Sequence, residues 1–207
     1  MRQNRQQIRI VKLGGSLFDL PALFPTLVEL LAQDFVENRI VPGGGGFANE
    51  FRRLDPIHQW TPRTSHQLGL EAMGLAARMI AASHPAFQLV HSLHELVSPG
   101  RLPVLDVSRL EELAQGEQEE FPASWDVTSD SIAAWVAHRL AAEQLLLLKS
   151  CSLPSPLPTA VEAADAGWVD PCFPQLAAHI KEIRWANLRA TPVNPQRWLH
   201  DGAPISE

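Results

Sequence analysis

The sequence predicts an α/β protein with a mostly parallel central sheet covered by helices on both faces, three layers in all. Three observations carry this. Short apolar runs alternate along the chain with stretches of helical period, the signature of parallel strands joined by crossover helices. Two glycine clusters, Gly14–Gly15 and Gly43–Gly46, each follow a strand-like run directly. In parallel sheets ligands bind beyond the carboxyl ends of the strands, so both clusters fall on one functional edge. Finally, the strand-length stretch 144–149, QLLLLK, carries four consecutive leucines, as a strand buried on both faces requires.

The elements follow in order. IRIVKL at 8–13 reads as a short buried strand. A helix is expected over 19–33, where Leu20, Leu23, Phe24, Leu27, Leu30 and Leu31 share one stripe and Asp19-Leu20-Pro21 resembles a helix start. A second strand covers about 39–41 and ends in Pro42 and four glycines; a helix over 47–54 follows at once, then a longer one over 65–83. Strands are expected at 87–91 and 103–106, an acidic loop at 116–124, and a helix at 128–142 with Ile132, Trp135, Val136 and Leu140 at core spacing. After the 144–149 strand, the three prolines of SLPSPLP exclude regular structure. Helices near 159–166 and 173–179, a strand near 182–186 and a ragged tail complete the chain, read as one domain over 1–207.

With 207 residues and 45% hydrophobic content the chain can bury a sizeable core. A net charge of −6 argues against nonspecific nucleic-acid binding, which needs a basic face. It leaves room for a small anionic ligand, because backbone N–H groups bind phosphate without net positive charge. The polar start MRQNRQQ has no apolar signal region, and the longest apolar run is far too short to span a membrane. A cytoplasmic protein is expected, with Cys151 and Cys172 as reduced thiols and no metal cluster built on them.

The motifs that bear on chemistry are four. In VKLGGS, Gly14 and Gly15 can adopt positive φ and admit a ligand close to the backbone, Ser16 follows, and Lys12 could reach over the same space. A phosphate suits that arrangement; so does a plain tight turn with an exposed lysine. In PGGGG, Gly43, Gly44, Gly45 and Gly46 open onto a helix, as in an anion or substrate cradle, although a flexible loop tip has the same composition. Neither cluster is a Walker loop or a dinucleotide fingerprint. In SWDVTSDS, Asp126, Thr128, Ser129 and Asp130 could cap a helix, or could orient a lysine, a Mg²⁺ ion or a cationic substrate group. Lys149 ends the late strand on the same edge as Lys12, or snorkels to solvent.

Taken together, VKLGGS, VPGGGG and DVTSDSIAAWVAHRLAAEQLLLL resemble three motifs of the amino-acid-kinase family, in the family's order, from Ile8 to about Lys149. The resemblance implies that Lys12 meets the transferring phosphoryl group and that Asp130 positions the catalytic lysine. It also implies that Gly14, Gly15, Ser16 and Lys149 serve the nucleotide phosphates. Gly43 to Gly46, with Asp126, Thr128 and Ser129, would serve the acceptor. ATP and Mg²⁺ would be the cofactors and a homo-oligomer, a dimer or larger, the assembly. VPGGGGFANEFR, SHQLGLEAMG, SWDVTSDSIAAW and LLLKS are similar to the branch of the family that phosphorylates a phosphate monoester in methanofuran-type one-carbon cofactor biosynthesis. An amine on such an acceptor would need a carboxylate, for which Asp126 and Asp55 are the candidates.

One region departs from the family. Where its members continue with an Asp-Gly turn, a nucleotide-binding stretch and in several cases a second lysine, this chain has KSCSLPSPLPTAVEAADAGWVD, and Lys181 is its only later lysine. A shortened nucleotide side is expected from about residue 150. A small-molecule kinase and a noncatalytic or partner-dependent protein that holds nucleotide, phosphate or an oxyanion on the same fold both remain open. An open cleft beside the proline-rich segment would favour the kinase. The sequence assigns no role to Arg52, His58 or His66.

Overall fold

A computed structural model describes residues 7–33, 36–113 and 123–204 of the chain. Its elements are β1 (Ile8–Leu13), α1 (Leu23–Ala32), β2 (Glu37–Pro42), α2 (Gly45–His58), α3 (Pro62–Ser83), β3 (Phe87–Val90), α4 (Leu93–Leu96) and β4 (Leu102–Leu105). They continue with α5 (Leu110–Leu113), α6 (Ser129–Arg139), β5 (Gln144–Lys149), α7 (Ala160–Asp165), α8 (Phe173–Ala177), β6 (Glu182–Asn187), β7 (Gln196–His200) and β8 (Ala203–Pro204). One sheet orders the strands β3-β4-β2-β1-β5-β6-β7-β8. The first six run parallel, and β7 and β8 are antiparallel. This is the mostly parallel, helix-flanked sheet that the sequence predicts.

Strand parity decides what each face carries. Val11 and Leu13 of β1 and Leu146 and Leu148 of β5 pack with α1 and the C-terminal half of α3. Ile10, Leu145 and Leu147 pack on the other face with α6, α7 and α8. Lys12 shares parity with Ile10, and Lys149 with Leu145 and Leu147, so both lysines are directed toward α6. Nine consecutive residues of α6, Ser129 to Ala137, are buried. A helix buried all round normally carries no polar residues; the three polar ones here sit together in its first turn, where the site lies.

Several elements differ from expectation for identifiable reasons. The first helix starts at Leu23, four residues late. Gly15–Leu17 first form a 3-10 turn, and Asp19 is drawn into an ion pair with Arg189. The long helix starts three residues early, because Thr61 caps it (Thr64 N–H to Thr61 Oγ1, 3.2 Å) and Pro62 occupies its first position. The expected ragged tail is a hairpin. Trp198 and Leu199 are buried, and Asp201-Gly202 turns the chain with φ of +48° and +79°, the Asp-Gly signal of a two-residue hairpin. The proline-rich stretch is irregular, as expected, yet pinned: Trp185 donates to the Cys151 carbonyl and Trp198 to the Pro158 carbonyl, both at 2.8 Å. Residues 116–122 of the expected acidic loop lie outside the described residues. Cys151 and Cys172 are free thiols. Among the described residues no helix is long and apolar enough to cross a membrane.

The core assignment gives a stability expectation. Leu146 is wholly buried at the sheet centre, while Leu75 is 45% exposed. Leu146→Ala is expected to lower the unfolding free energy by about 2–5 kcal/mol, and Leu75→Ala by no more than about 0.5 kcal/mol, in urea titrations.

Candidate active site

The site forms where the strand order reverses. β1 has β2 on one side and β5 on the other, and the chain turns outward in opposite directions from them, the usual place for a ligand crevice in an open α/β sheet. Both glycine turns prolong the ladder beyond the strand ends: Gly14 N–H bonds the Leu148 carbonyl at 2.9 Å, and Gly43 N–H bonds the Leu13 carbonyl at 2.8 Å. The requirement for glycine differs from the one expected. Gly14 is extended, with φ −61°, and of the two clusters only Gly45 uses positive φ, +56°. What excludes side chains at 14 and 15 is proximity. A Cβ on Gly14 would lie 2.8 Å from the Leu148 carbonyl oxygen, and one on Gly15 would strike the Gly45 backbone. The two turns are therefore packed against each other, backbone to backbone.

Beside them, Asp130 joins two lysines. Its Oδ1 is 2.9 Å from Lys12 Nζ and its Oδ2 is 2.8 Å from Lys149 Nζ. The first contact is off the line of a good hydrogen bond and is chiefly ionic; the second is a hydrogen bond. Lys149 also donates to the Trp168 carbonyl at 2.7 Å and lies 5.3 Å over the Trp185 ring. Lys12, Asp130 and Lys149 are 4%, 5% and 9% exposed, so the reading of Lys12 as an exposed turn residue, and of Lys149 as a snorkelling one, is overturned. Burial alone would raise the Asp130 carboxyl; the two ammonium groups overrule it and hold the group below its ordinary value. Burial, helped by Lys12 and opposed by Asp130, lowers Lys149 from its ordinary 10.5 to about 8.

A cavity of about 220 Å³ opens in front of this triad. Lys12, Gly14, Gly15, Ser16 and Lys149 line one side, Gly43, Gly44, Gly45, Thr128 and Ser129 another. Arg52, His66, Asn49 and Trp125, none assigned from the sequence, also face it. Arg52 lies 4.7 Å over the Trp125 ring, and the Trp125 indole N–H donates to Asp55 at 2.8 Å. His66 Nδ1 meets the Ser124 carbonyl at 3.2 Å. Ser16 Oγ is 3.0 Å from Ser150 Oγ, and its carbonyl accepts from Arg189 at 2.8 Å. The remaining candidates stand apart. Gly46 and Asp126 are exposed and outside the lining, Asp126 accepting from the Ser124 hydroxyl. His58 stacks on Trp60.

Sequence reasoning missed Asp170. It is buried and accepts from Thr128 and Ser131 at the start of α6, and nothing in GWVD separates it from a surface loop. Beside the proline-rich segment, where an open cleft was the feature that would favour the kinase, a second cleft of about 170 Å³ is lined by Ser152, Trp185, Asn187, Pro192, Asn194 and Gln196. Among the described residues no group of three or more His, Cys, Asp or Glu side chains is placed to hold a metal ion.

Comparison with known proteins fits this geometry. The model of the amino acid kinase family matches residues 7–152, more than half of the chain. A Methanocaldococcus jannaschii protein described as (5-(aminomethyl)furan-3-yl)methyl phosphate kinase is 27% identical over 143 residues, 68% of this chain and 64% of the relative. The matched part thus spans just under two thirds of that curated relative. Among solved structures, a uridylate kinase from Archaeoglobus fulgidus superposes with a TM-score of 0.63 at 18% identity, covering 87% of this chain and 89% of that one. A UMP kinase from Ureaplasma parvum gives 0.60 at 13% identity, covering 91% and 93%.

The depressed Lys149 has a measurable consequence. Between about pH 8 and pH 10.5 the folded state binds fewer protons at this residue than the unfolded chain does, so its contribution makes stability rise with pH across that window. Urea titrations at both ends of the window are expected to show the rise in the wild type and a smaller one in Lys149→Met.

Proposed function

The chain belongs to the amino acid kinase family, and from that premise we propose that it transfers the γ-phosphoryl group of ATP to a small acceptor, a phosphate monoester being the class that suits the site best. The observation that carries this reading is the sharing of Asp130 between Lys12 and Lys149 beside two interlocked glycine turns. Phosphoryl transfer asks for positioning and neutralisation of charge on a loose transition state more than for covalent chemistry. Two ammonium groups against one carboxylate leave positive charge directed at the cavity, and the glycine backbones allow phosphate oxygens to come close.

In this reading Lys12, Lys149, Gly14, Gly15 and Ser16 hold the donor phosphates. Gly43, Gly44, Thr128, Ser129 and Arg52 face the acceptor. An acceptor phosphate oxygen forms the new P–O bond, the bond from the γ-phosphorus to the bridging oxygen breaks, and ADP leaves. Such an oxygen is already largely ionised, its second pKa being about 6, so no strong general base is needed. His66 is engaged with the Ser124 carbonyl and is not required as one. The cleft at Trp185 and Asn187 is the surface offered to the nucleoside, and its being open favours the kinase over a noncatalytic binder. Mg²⁺ would neutralise phosphate charge and would be carried in with the nucleotide phosphates.

The relative's described substrate carries an amine. Neither Asp55, held by Trp125, nor Asp126, which is exposed, lines the cavity, so a cationic group on the acceptor would have to meet another part of the site. Free thiols and use of ATP fit a cytoplasmic enzyme. A homo-oligomer would have exposed apolar side chains to bury, Phe47 and Ile57 on α2 and Leu75 on α3.

Calorimetry with Mg²⁺–ATP tests the proposal, followed by turnover on benzyl phosphate as an acceptor probe. Binding is expected in the wild type, and Lys12→Ala is expected to lower turnover by about 100-fold or more. No binding at millimolar nucleotide would give first place to the noncatalytic reading.

A further inference from the structure

The connection between α7 and α8 contributes nothing to the lining of the main cavity, yet it touches the machinery at two points. Gly167, with φ +72°, turns the chain out of α7. Trp168 then presents its carbonyl to Lys149 Nζ at 2.7 Å. Two residues on, Asp170 is 7% exposed and accepts four hydrogen bonds from the start of α6. They come from Thr128 N–H at 3.1 Å, the Thr128 hydroxyl at 2.8 Å, Ser131 N–H at 2.9 Å and the Ser131 hydroxyl.

These bonds do for α6 what its own sequence does not. Thr128 occupies the capping position, but its side chain makes no cap bond within the helix and is turned to Asp170 instead. A local cap would satisfy the orphan N–H groups wherever the helix lay. A carboxylate from another part of the chain satisfies them only when the helix end stands in one place. Asp130 is in that same first turn, so what fixes the turn fixes Asp130. The arrangement also carries a cost that simple capping would avoid: burial and the neighbouring Asp130 charge push the Asp170 carboxyl up, against the hydrogen bonds from Ser131 and Thr128.

We propose that Asp170 is a positioning residue for phosphoryl transfer, holding the first turn of α6 so that Asp130 stays between Lys12 and Lys149. Its kinetic consequence rests on the kinase reading; its structural consequence does not. The chain has only three lysines, Lys12, Lys149 and Lys181, the last exposed. Lysine labelled with ¹³C at Cε therefore gives three NMR signals, assignable with Lys149→Arg and Lys181→Arg. Among the described residues, the charged groups facing Lys149 are Asp130 from α6 and Lys12 from β1, with the Trp168 carbonyl as its other polar contact.

In Asp170→Asn, Asp130 loses its fixed place against Lys149, and the Lys149 midpoint is expected to fall from about 8 by about half a unit or more. Turnover of Mg²⁺–ATP with benzyl phosphate is expected to fall roughly tenfold or more while both KM values stay within about twofold. A folded Asp170→Asn protein with an unchanged Lys149 midpoint overturns the proposal, whatever its melting temperature. Should that variant fail to fold, Ser131→Ala removes one of the four bonds and decides the matter: a midpoint lowered in the same direction supports the proposal, and an unchanged one overturns it. A wild type that turns over no ATP refutes the kinase reading alone and leaves the lysine titration decisive.

Discussion

Asp130 stands between Lys12 and Lys149 in a place nearly closed to solvent, and three charges so close together there depend on one another. Two unit charges 4 Å apart interact by about 4 kcal/mol at an effective dielectric constant of 20. Without the carboxylate, two buried ammonium groups would repel each other across the same space. With it, each lysine has an opposite charge in contact, and the group of three keeps one net positive charge beside the cavity. The rest of the site follows from this requirement. Strand parity brings both lysines to one face of the sheet, the first turn of α6 brings the carboxylate to meet them, and the glycine turns leave the space in front open to an anion.

The two glycine clusters serve the same end by a route that differs from loop flexibility. Gly15 and Gly45 are so close that a single methyl group on the first would strike the backbone of the second. The turns after β1 and β2 thus form one rigid surface whose spacing is set by neighbouring strands. Arg189, from beyond β6, ties the first turn down through the Ser16 carbonyl and Asp19. Preorganised dipoles and charges are what the proposed phosphoryl transfer would need, because none would have to be reorganised as charge develops.

The part of the chain that looks most divergent is tied to the centre. The stretch after β5 is short and proline-rich, but Trp185 and Trp198 anchor it through carbonyl oxygens. The connection after α7 sends Trp168 and Asp170 back to Lys149 and to α6. Lys149 itself, at the end of β5, brings a second ammonium group to the carboxylate from a strand next to β1. A second lysine is thus present at the site although the later segment supplies none.

How much of this was legible in the sequence depended on distance along the chain. Short-range signals are complete in themselves. The IRIVKL and QLLLLK strands, the glycine clusters at strand ends and the core positions Ile132, Trp135 and Val136 of α6 could be read directly, and Lys12, Asp130 and Lys149 could be nominated because they lie beside a glycine turn, at a helix start and at a strand end in motifs that resemble those of a known family. Other local signals were present and overlooked, such as the Thr61-Pro62 cap and the Asp201-Gly202 hairpin turn. What the sequence by itself determined, then, is the alternation of strands and helices, the mostly parallel sheet, and the edge on which the polar residues gather. Only the tertiary structure decided that one carboxylate serves both lysines, that Gly14 and Gly15 are needed for close approach instead of positive φ, that Asp126 and Gly46 stand outside the cavity, and that Asp170 and Arg189 hold the site from afar. The physical reason is that periodicity and capping are written over a few neighbouring residues. Ion pairs and hydrogen bonds between residues 19 to 173 positions apart exist only once the fold has brought their elements together.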